Sequence, residues 1–149
     1  MGATTTMLTV ERLQEGDEDK AQVVAGRLCG SFGGHDKLAR FLSDDNNFLL
    51  VGYLDDKPVG YALAYRLERI DARSPMMYLH ELDVATEYHR QGVGRALLNE
   101  LKQICAEQHL SKMFVMTTRS NVPAVNLFES AGGVASSPDD VVYRFKHFD

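Results

Sequence analysis

Residues 89–98, His-Arg-Gln-Gly-Val-Gly-Arg-Ala-Leu-Leu, constrain this chain more than any other stretch. They join a β-like apolar run, Met76 to Val84, to an amphipathic run from Val93 to Ile104. A strand that enters a helix through Gly92 and Gly94 needs a tight turn, and glycine reaches the backbone angles such turns require. The same glycines let main-chain N–H groups come close to an anion. The helix behind them aims its free N-terminal N–H groups and the positive end of its dipole at the same point. These residues alone fit two readings, a cradle for a phosphate-bearing ligand and a plain strand-to-helix turn.

The surrounding pattern builds one domain over residues 1–149, without repeats or long linkers. Met7 to Arg12 alternates as a short strand, and Asp17 to Leu28 reads as a helix with Gly30 beyond its end. Gly33-Gly34-His35 breaks the chain, and Asp36 is placed to cap a short helix through Leu42. Phe48 to Leu54 and Val59 to Leu67 form a hairpin about Asp55 to Pro58. After Met76 to Val84 and its glycine turn, the helix from Gly92 to about Gln108 places Val93, Leu97, Leu98, Leu101, Ile104 and Cys105 on one face. Lys112 to Thr117 reads as a strand, Pro123 to Ser130 as a helix followed by Gly132-Gly133, and Val141 to Phe148 as a final strand. Strand, helix, strand in that order implies a right-handed crossover between parallel neighbours. The expected class is α/β (α+β), a mixed and mostly antiparallel sheet with helices on both faces.

A net charge of −5 argues against a nucleic-acid binder, which carries a basic stripe. It suits a cationic substrate, and equally suits mere solubility. The acidic residues Asp44-Asp45, Asp55-Asp56, Glu81, Asp83 and Asp139-Asp140 either rim a cleft for a polycation or sit in solvated loops. No apolar run reaches ~18 residues, so no membrane span is expected. Residues 1–6, Met-Gly-Ala-Thr-Thr-Thr, lack the marks of a signal peptide, and the cytoplasm is the expected location. Cys29 and Cys105 stand in apolar helical context and read as buried, inert thiols. The histidines do not cluster, so no metal is expected.

Taken with their neighbours, these residues resemble the GNAT superfamily of acetyl-CoA-dependent N-acetyltransferases. That family's pyrophosphate motif is Arg/Gln-x-x-Gly-x-Gly/Ala at the start of a helix. Here it reads His89-Arg90-Gln91-Gly92-Val93-Gly94, followed by Arg95, with histidine in the first position. The family's second element, Asn-x-x-Ala-x-x-Leu-Tyr, is matched by Asn121, Ala124, Leu127 and Phe128, with phenylalanine in place of tyrosine. A narrower resemblance, to type I aminoglycoside 3-N-acetyltransferases, rests on Met77-Tyr78-Leu79-His80-Glu81-Leu82-Asp83-Val84 and on Pro123-Ala124-Val125. His80, Asp83 and Asn121 depart from that subfamily's pattern.

The resemblance implies acetyl-CoA as co-substrate, held by Leu82, Asp83, Val84, His89, Arg90, Gln91, Gly92, Val93, Gly94, Arg95, Asn121, Ala124 and Phe128. It implies main-chain N–H groups near Leu82 to Val84 as stabilisers of an oxyanion. It also implies a homodimer and an aminoglycoside acceptor, against other amines or a non-catalytic binding role as alternatives. Amine acetylation needs the neutral amine, so a base must take a proton. Glu81, a carboxylate on an otherwise apolar strand, is the candidate catalytic residue; a salt bridge to a neighbouring arginine, or an exposed edge position, is the alternative. His80, Glu81 and Asp83 are the candidate acceptor-binding residues. Strict alternation places Glu81 and Asp83 on one face of their strand, with Tyr78, His80, Leu82 and Val84 on the other; a bulge would break that parity. Asn121 also reads as a helix N-cap. Phe128 lacks a hydroxyl to protonate a leaving thiolate, which leaves water, Tyr143 or unassisted departure.

Overall fold

The computed structural model of the protein describes residues 6–148. Residues 1–5, most of the stretch read for an export signal, lie outside them. Five strands run in the order β1 (Leu8–Leu13), β2 (Asn47–Leu54), β3 (Lys57–Leu67), β4 (Met76–Val84) and β5 (Lys112–Val115) across a single sheet. The first four are antiparallel to their neighbours, and β5 runs parallel to β4. The helices are α1 (Glu18–Leu28), α2 (His35–Ser43), α3 (Val93–Glu107) and α4 (Val122–Ser130). The mixed sheet and its β4–α3–β5 crossover match the expected architecture. Among the described residues, no helix is long and apolar enough to cross a membrane.

The tight β2–β3 hairpin follows from Asp55 and Asp56, both left-handed at φ 49° and 68°. Two such residues in a row make the turn whose twist suits antiparallel strands. Strand β2 is apolar on successive residues because both its faces are covered. Phe48 and Leu50 pack beneath Leu97, Leu98 and Leu101 of α3. Leu49 and Val51 pack with Ala21 and Val24 of α1 and Leu38 and Leu42 of α2. Helix α4 joins the α3 side through Leu127 and Phe128.

Two glycines set how closely α3 approaches the sheet. Gly52 and Gly60 face each other across β2 and β3. An added Cβ would stand 2.9 Å from Val93 Cγ1 at Gly52, and 3.0 Å from the same atom at Gly60. Val93, buried at 1% exposure, fills the space left by the two absent side chains. The first turn of α3 therefore rests directly on the sheet.

Several sequence expectations need correction. The register of β3 against β4 slips between Leu63 and Ala64, leaving His80 as an extra residue between Leu79 and Glu81. This bulge breaks the alternation. Leu79, Leu82 and Val84 share the α3 face, while Tyr61, whose hydroxyl reaches Glu81, belongs to the α1–α2 face. Tyr78 and His80 make aromatic contacts with Tyr65, which also meets Phe41 of α2, so they join the face of Glu81. Strand β5 stops at Val115, short of Thr117, because its pairing with β4 ends at Leu79–Val115, where the bulge bends β4 away. Gly34, not Asp36, caps α2; Asp36 lies in the first turn, where its charge complements the helix dipole. Cys29 is exposed because it lies past the last turn of α1, and Cys105 is half-buried.

The final strand is also overturned. Val141 to Phe148 carries the alternation of a strand but forms none, since a strand needs a neighbour. Among the described residues, no hydrogen bond joins 141–148 to any other part of the chain. The segment is exposed throughout, Phe145 at 78% and Phe148 at 86%.

Candidate active site

Beyond Leu79 and Val115 the two parallel strands part, and a cleft of about 320 Å³ opens between them. Tyr61, His80, Glu81, Leu82 and Asp83 line one wall, and Met116, Asn121, Ala124 and Phe128 line the other. Seven residues read from the sequence as site candidates thus meet in one place, although about forty positions separate the two groups.

The parting of the strands leaves part of β4 without a neighbour. Ala85 N–H donates to Val59 O at 2.8 Å, which fixes the orientation of the ladder toward β3. Backbone groups alternate along a strand. Leu82 and Val84 therefore direct theirs away from β3, toward the open edge. His89 Nε2 lies 2.7 Å from Val84 O and donates to it, bracing the turn after β4. The N–H groups of Leu82 and Val84 remain available to an extended ligand.

Glu81 stands on the same wall as Leu82, its side chain 46% exposed. Tyr61 Oη donates to Glu81 Oε2 at 3.0 Å, and Tyr61 is only 5% exposed. Burial first, then the hydrogen bond to the Glu81 carboxylate, pushes the Tyr61 phenol well above its ordinary range. It stays protonated and serves as a fixed donor. His80 Nε2 lies 3.8 Å from Glu81 Oε1, and His80 Nδ1 lies 3.0 Å from the Tyr78 hydroxyl. Among the described residues no arginine pairs with Glu81, whose ionic neighbour is His80; its half-exposed place beside the open end of β4 also fits an exposed edge position. Burial and the Glu81 charge also raise the Tyr65 phenol. The Cys29 thiol is raised, chiefly by partial desolvation of its sulfur.

The glycine turn stands at the head of α3. Gly92 is left-handed at φ 84°, and so is Arg90 at φ 64°. The first helical bond is Ala96 N–H to Gly92 O, and no side chain caps the helix. Gly94 serves a different purpose from Gly92. A Cβ there would stand 3.2 Å from Leu127 Cδ2 and 3.6 Å from Leu82 Cδ2, so glycine lets α3, α4 and β4 close together. Arg90, Gln91 and Arg95 are exposed, and Arg95 donates to Ser130 Oγ, tying α3 to α4. The Val93 side chain faces the core, so only its backbone is available to a ligand. Asn121 Oδ1 accepts from Ala124 N–H at 3.4 Å, capping α4 as the sequence suggested.

Tyr61 was absent from the sequence candidates, since its position beside Glu81 depends on the β3–β4 register. Gly52 and Gly60 were missed too; their signal was two glycines in otherwise apolar strands. Of the acidic residues considered for a cationic acceptor, only Glu81 and Asp83 line the cleft. Tyr143 is 80% exposed on the free segment and is not among the lining residues.

A family model described as "Acetyltransferase (GNAT) family" matches residues 17–133, which hold every element from α1 to α4. The chain belongs to the GNAT acetyltransferase family. The human N-acetyltransferase 8 is 27% identical over 92 residues, 62% of this GNAT chain and 40% of that relative. The chain thus spans well under half the length of the curated relative it matches. A solved aminoglycoside acetyltransferase from an uncultured soil metagenomic sample, in complex with sisomicin, superposes with a TM-score of 0.81 at 26% identity, covering 95% of this chain and 97% of that one. An aminoglycoside N-acetyltransferase in complex with CoA shares the fold at a TM-score of 0.78 and 14% identity, covering 99% and 100%.

The residues present fit the acyl-CoA that the GNAT family uses. Leu82 and Val84 offer main-chain N–H groups along the cleft, and Gly94 lets α3 close against Leu82 and Leu127. The head of α3 offers N–H groups and the dipole to a phosphate, with Arg90 nearby.

Proposed function

We propose that this chain transfers an acetyl group from acetyl-CoA to an amine of an aminoglycoside, at the 3-amine that the resemblance to type I aminoglycoside 3-N-acetyltransferases implies. The observation that carries the proposal is Glu81, half-exposed in the cleft and held by a buried tyrosine hydroxyl. When bound, acetyl-CoA supplies the activated acyl group. The chain's own residues do the rest.

The acceptor arrives as an ammonium, and each pKa unit above ambient pH costs about 1.4 kcal/mol to remove its proton. Glu81 Oε1 is the oxygen free of Tyr61, and it receives that proton directly or through water. Tyr61 fixes the carboxylate so that its free oxygen faces the cleft. Asp83, on the same face, adds a second negative charge for a polycation. Leu82 and Val84 N–H groups bind an extended arm as an added strand would. Asn121 Nδ2 is a donor on the opposite wall. With Phe128 where a hydroxyl would stand, this wall gives no proton to a departing thiolate, and water supplies it.

The test is release of free CoA from acetyl-CoA with gentamicin, spermidine and a peptide amine as acceptors. Turnover with gentamicin that falls ~10²–10⁴-fold in Glu81→Gln supports the reading. NMR of the product assigns the acetylated nitrogen, and a nitrogen other than the 3-amine overturns the regiochemistry. Turnover only with spermidine or the peptide overturns the acceptor, and turnover with none makes the chain a binding module. In a cell, the proposed turnover would confer aminoglycoside resistance.

A further inference from the structure

The short connection between β4 and α3 is held by both its backbone and a side chain. A single 3-10 turn, Thr86–Tyr88, is closed by Tyr88 N–H to Ala85 O at 2.9 Å and by His89 N–H to Thr86 O at 3.2 Å. His89 follows in extended backbone, and Arg90 then turns left-handed ahead of Gly92. The His89 ring folds back on this connection, with Nε2 2.7 Å from Val84 O. The ring is thereby fixed at the turn that leads into the head of α3.

This contact decides the chemistry of the ring. A carbonyl oxygen only accepts, so Nε2 must carry a hydrogen. In the neutral ring Nδ1 is then a bare acceptor. His89 is exposed, and among the described residues Nδ1 has no hydrogen-bond partner. The rest of this corner presents donors, namely Arg90 and the N–H groups of the first turn of α3, which no side chain caps. A lone pair facing a phosphate oxygen repels it, whereas a protonated Nδ1 gives a charge-assisted hydrogen bond. Arginine or glutamine, which the GNAT pyrophosphate motif has in this place, carries its donors at every pH. His89 gains its second donor only as the imidazolium.

We propose, resting on the acyl-CoA reading above, that His89 takes up a proton at Nδ1 when the diphosphate of an acyl-CoA docks at the head of α3. The proton comes from solvent and forms an N–H bond at Nδ1, while Nε2–H stays on Val84 O; no other bond changes. One ring thus has two tasks, bracing β4 through Nε2 and meeting the anion through Nδ1. The complex holds one proton more than its separated parts, so donor affinity rises as pH falls, by up to about tenfold per pH unit. Acetyl-CoA and CoA carry the same diphosphate, so substrate and product are strengthened alike. The other charged and titratable groups on the elements that meet here are His80, Glu81 and Asp83 on β4, Lys57 at the start of β3, Glu87 and Tyr88 in the turn, Arg90, and Arg95 on α3. Among the described residues none of them bonds to the His89 ring.

Nitrogen NMR of the histidine-labelled chain, free and saturated with acetyl-CoA above neutral pH, reads both nitrogens of the ring directly. The expected result is a neutral His89 with its hydrogen on Nε2 in the free chain, and hydrogens on both nitrogens in the complex. Calorimetry in two amine-free buffers of different ionisation enthalpy then counts the protons taken up on binding, in the wild type and in His89→Gln. Glutamine carries an N–H for Val84 O and does not titrate, and protons exchanged by the 3′-phosphate of the ligand cancel between the two proteins. The wild type should take up more than the variant, by up to about one proton per acetyl-CoA. A ring that stays neutral in the complex overturns the proposal. So does equal uptake by the two proteins, which puts the proton on another group such as His80. Acetyl-CoA that binds neither protein at any pH overturns the acyl-CoA reading beneath it, a failure distinct from the other two.

Discussion

Gly52→Ala is the sharpest probe of how α3 is seated. The new methyl stands 2.9 Å from Val93 Cγ1, 3.7 Å from Leu97 Cγ and 3.8 Å from Leu97 Cδ1. Optimal carbon contacts lie at about 3.5–4.0 Å, so Val93 alone is overlapped, by about half an ångström or more. Overpacking of this kind costs about 1–3 kcal/mol. Replacing glycine stiffens the unfolded chain and returns about 0.4–1 kcal/mol. The net loss is then about 0–2.6 kcal/mol. Val93→Ala alone removes two buried methyl groups, at about 1–3 kcal/mol. In the double variant the new methyl occupies the space that Val93 vacates. The combined loss should fall below the sum of the single losses by at least about 1 kcal/mol. Urea unfolding of the four proteins, at constant slope, measures this cycle. Additivity within about 0.5 kcal/mol refutes the packing account. Gly60→Ala is the control. Its methyl meets Asp83 backbone O at 3.0 Å as well as Val93, so Val93→Ala rescues it less.

Tyr61→Phe removes the hydrogen bond to Glu81 while keeping the ring. A bond to a charged group contributes about 1.5–3 kcal/mol when well buried, and the half-exposed carboxylate lowers that to about 1; steady-state kinetics should show kcat reduced about fivefold with the KM for acetyl-CoA little changed. Gly92→Ala forces a side chain into the left-handed region at φ 84° and should lose about 1 kcal/mol in a urea melt, with weaker acetyl-CoA binding by calorimetry. The Asp71 carboxyl is held at about 2 by its hydrogen bond to Arg69. Its folded pKa is depressed, so the pair's contribution is present above about pH 3.8 and is lost as pH falls toward 2; NMR titration should find that midpoint, and Arg69→Ala should raise it toward, but not fully to, the ordinary value, since Arg73 N–H still donates to the carboxylate. Asn121→Ala should cost about 0.5–1 kcal/mol in a urea melt, the low end for an N-cap because its bond is long at 3.4 Å.

What the sequence showed and what it hid differ by range of interaction. The turn at Gly92 was legible because a left-handed residue and a helix start are written in adjacent positions. The N-cap at Asn121 was legible for the same reason. The bulge at His80 was not, since Leu79-His80-Glu81-Leu82 alternates acceptably in either register and pairing with β3 makes the choice. Val93 read as part of an anion site because the two glycines that receive its side chain lie more than thirty residues earlier. Cys29 read as buried from its apolar neighbours, although the helix ends at Leu28 where the sequence placed its end, and the cap residue faces solvent. Val141 to Phe148 has every local mark of a strand, yet a strand is a property of two segments.

The parting of β4 and β5 has a consequence for how such a protein changes over generations. The open edge of β4 offers main-chain atoms, which no point mutation short of proline removes; Tyr61, Glu81 and Asp83 on the same wall offer side chains, which any codon change can alter. Under the proposed function, recognition of the acyl donor is sheltered from drift while recognition of the acceptor is open to it. Lineages carrying this fold can therefore acquire new amines one residue at a time without relearning the donor.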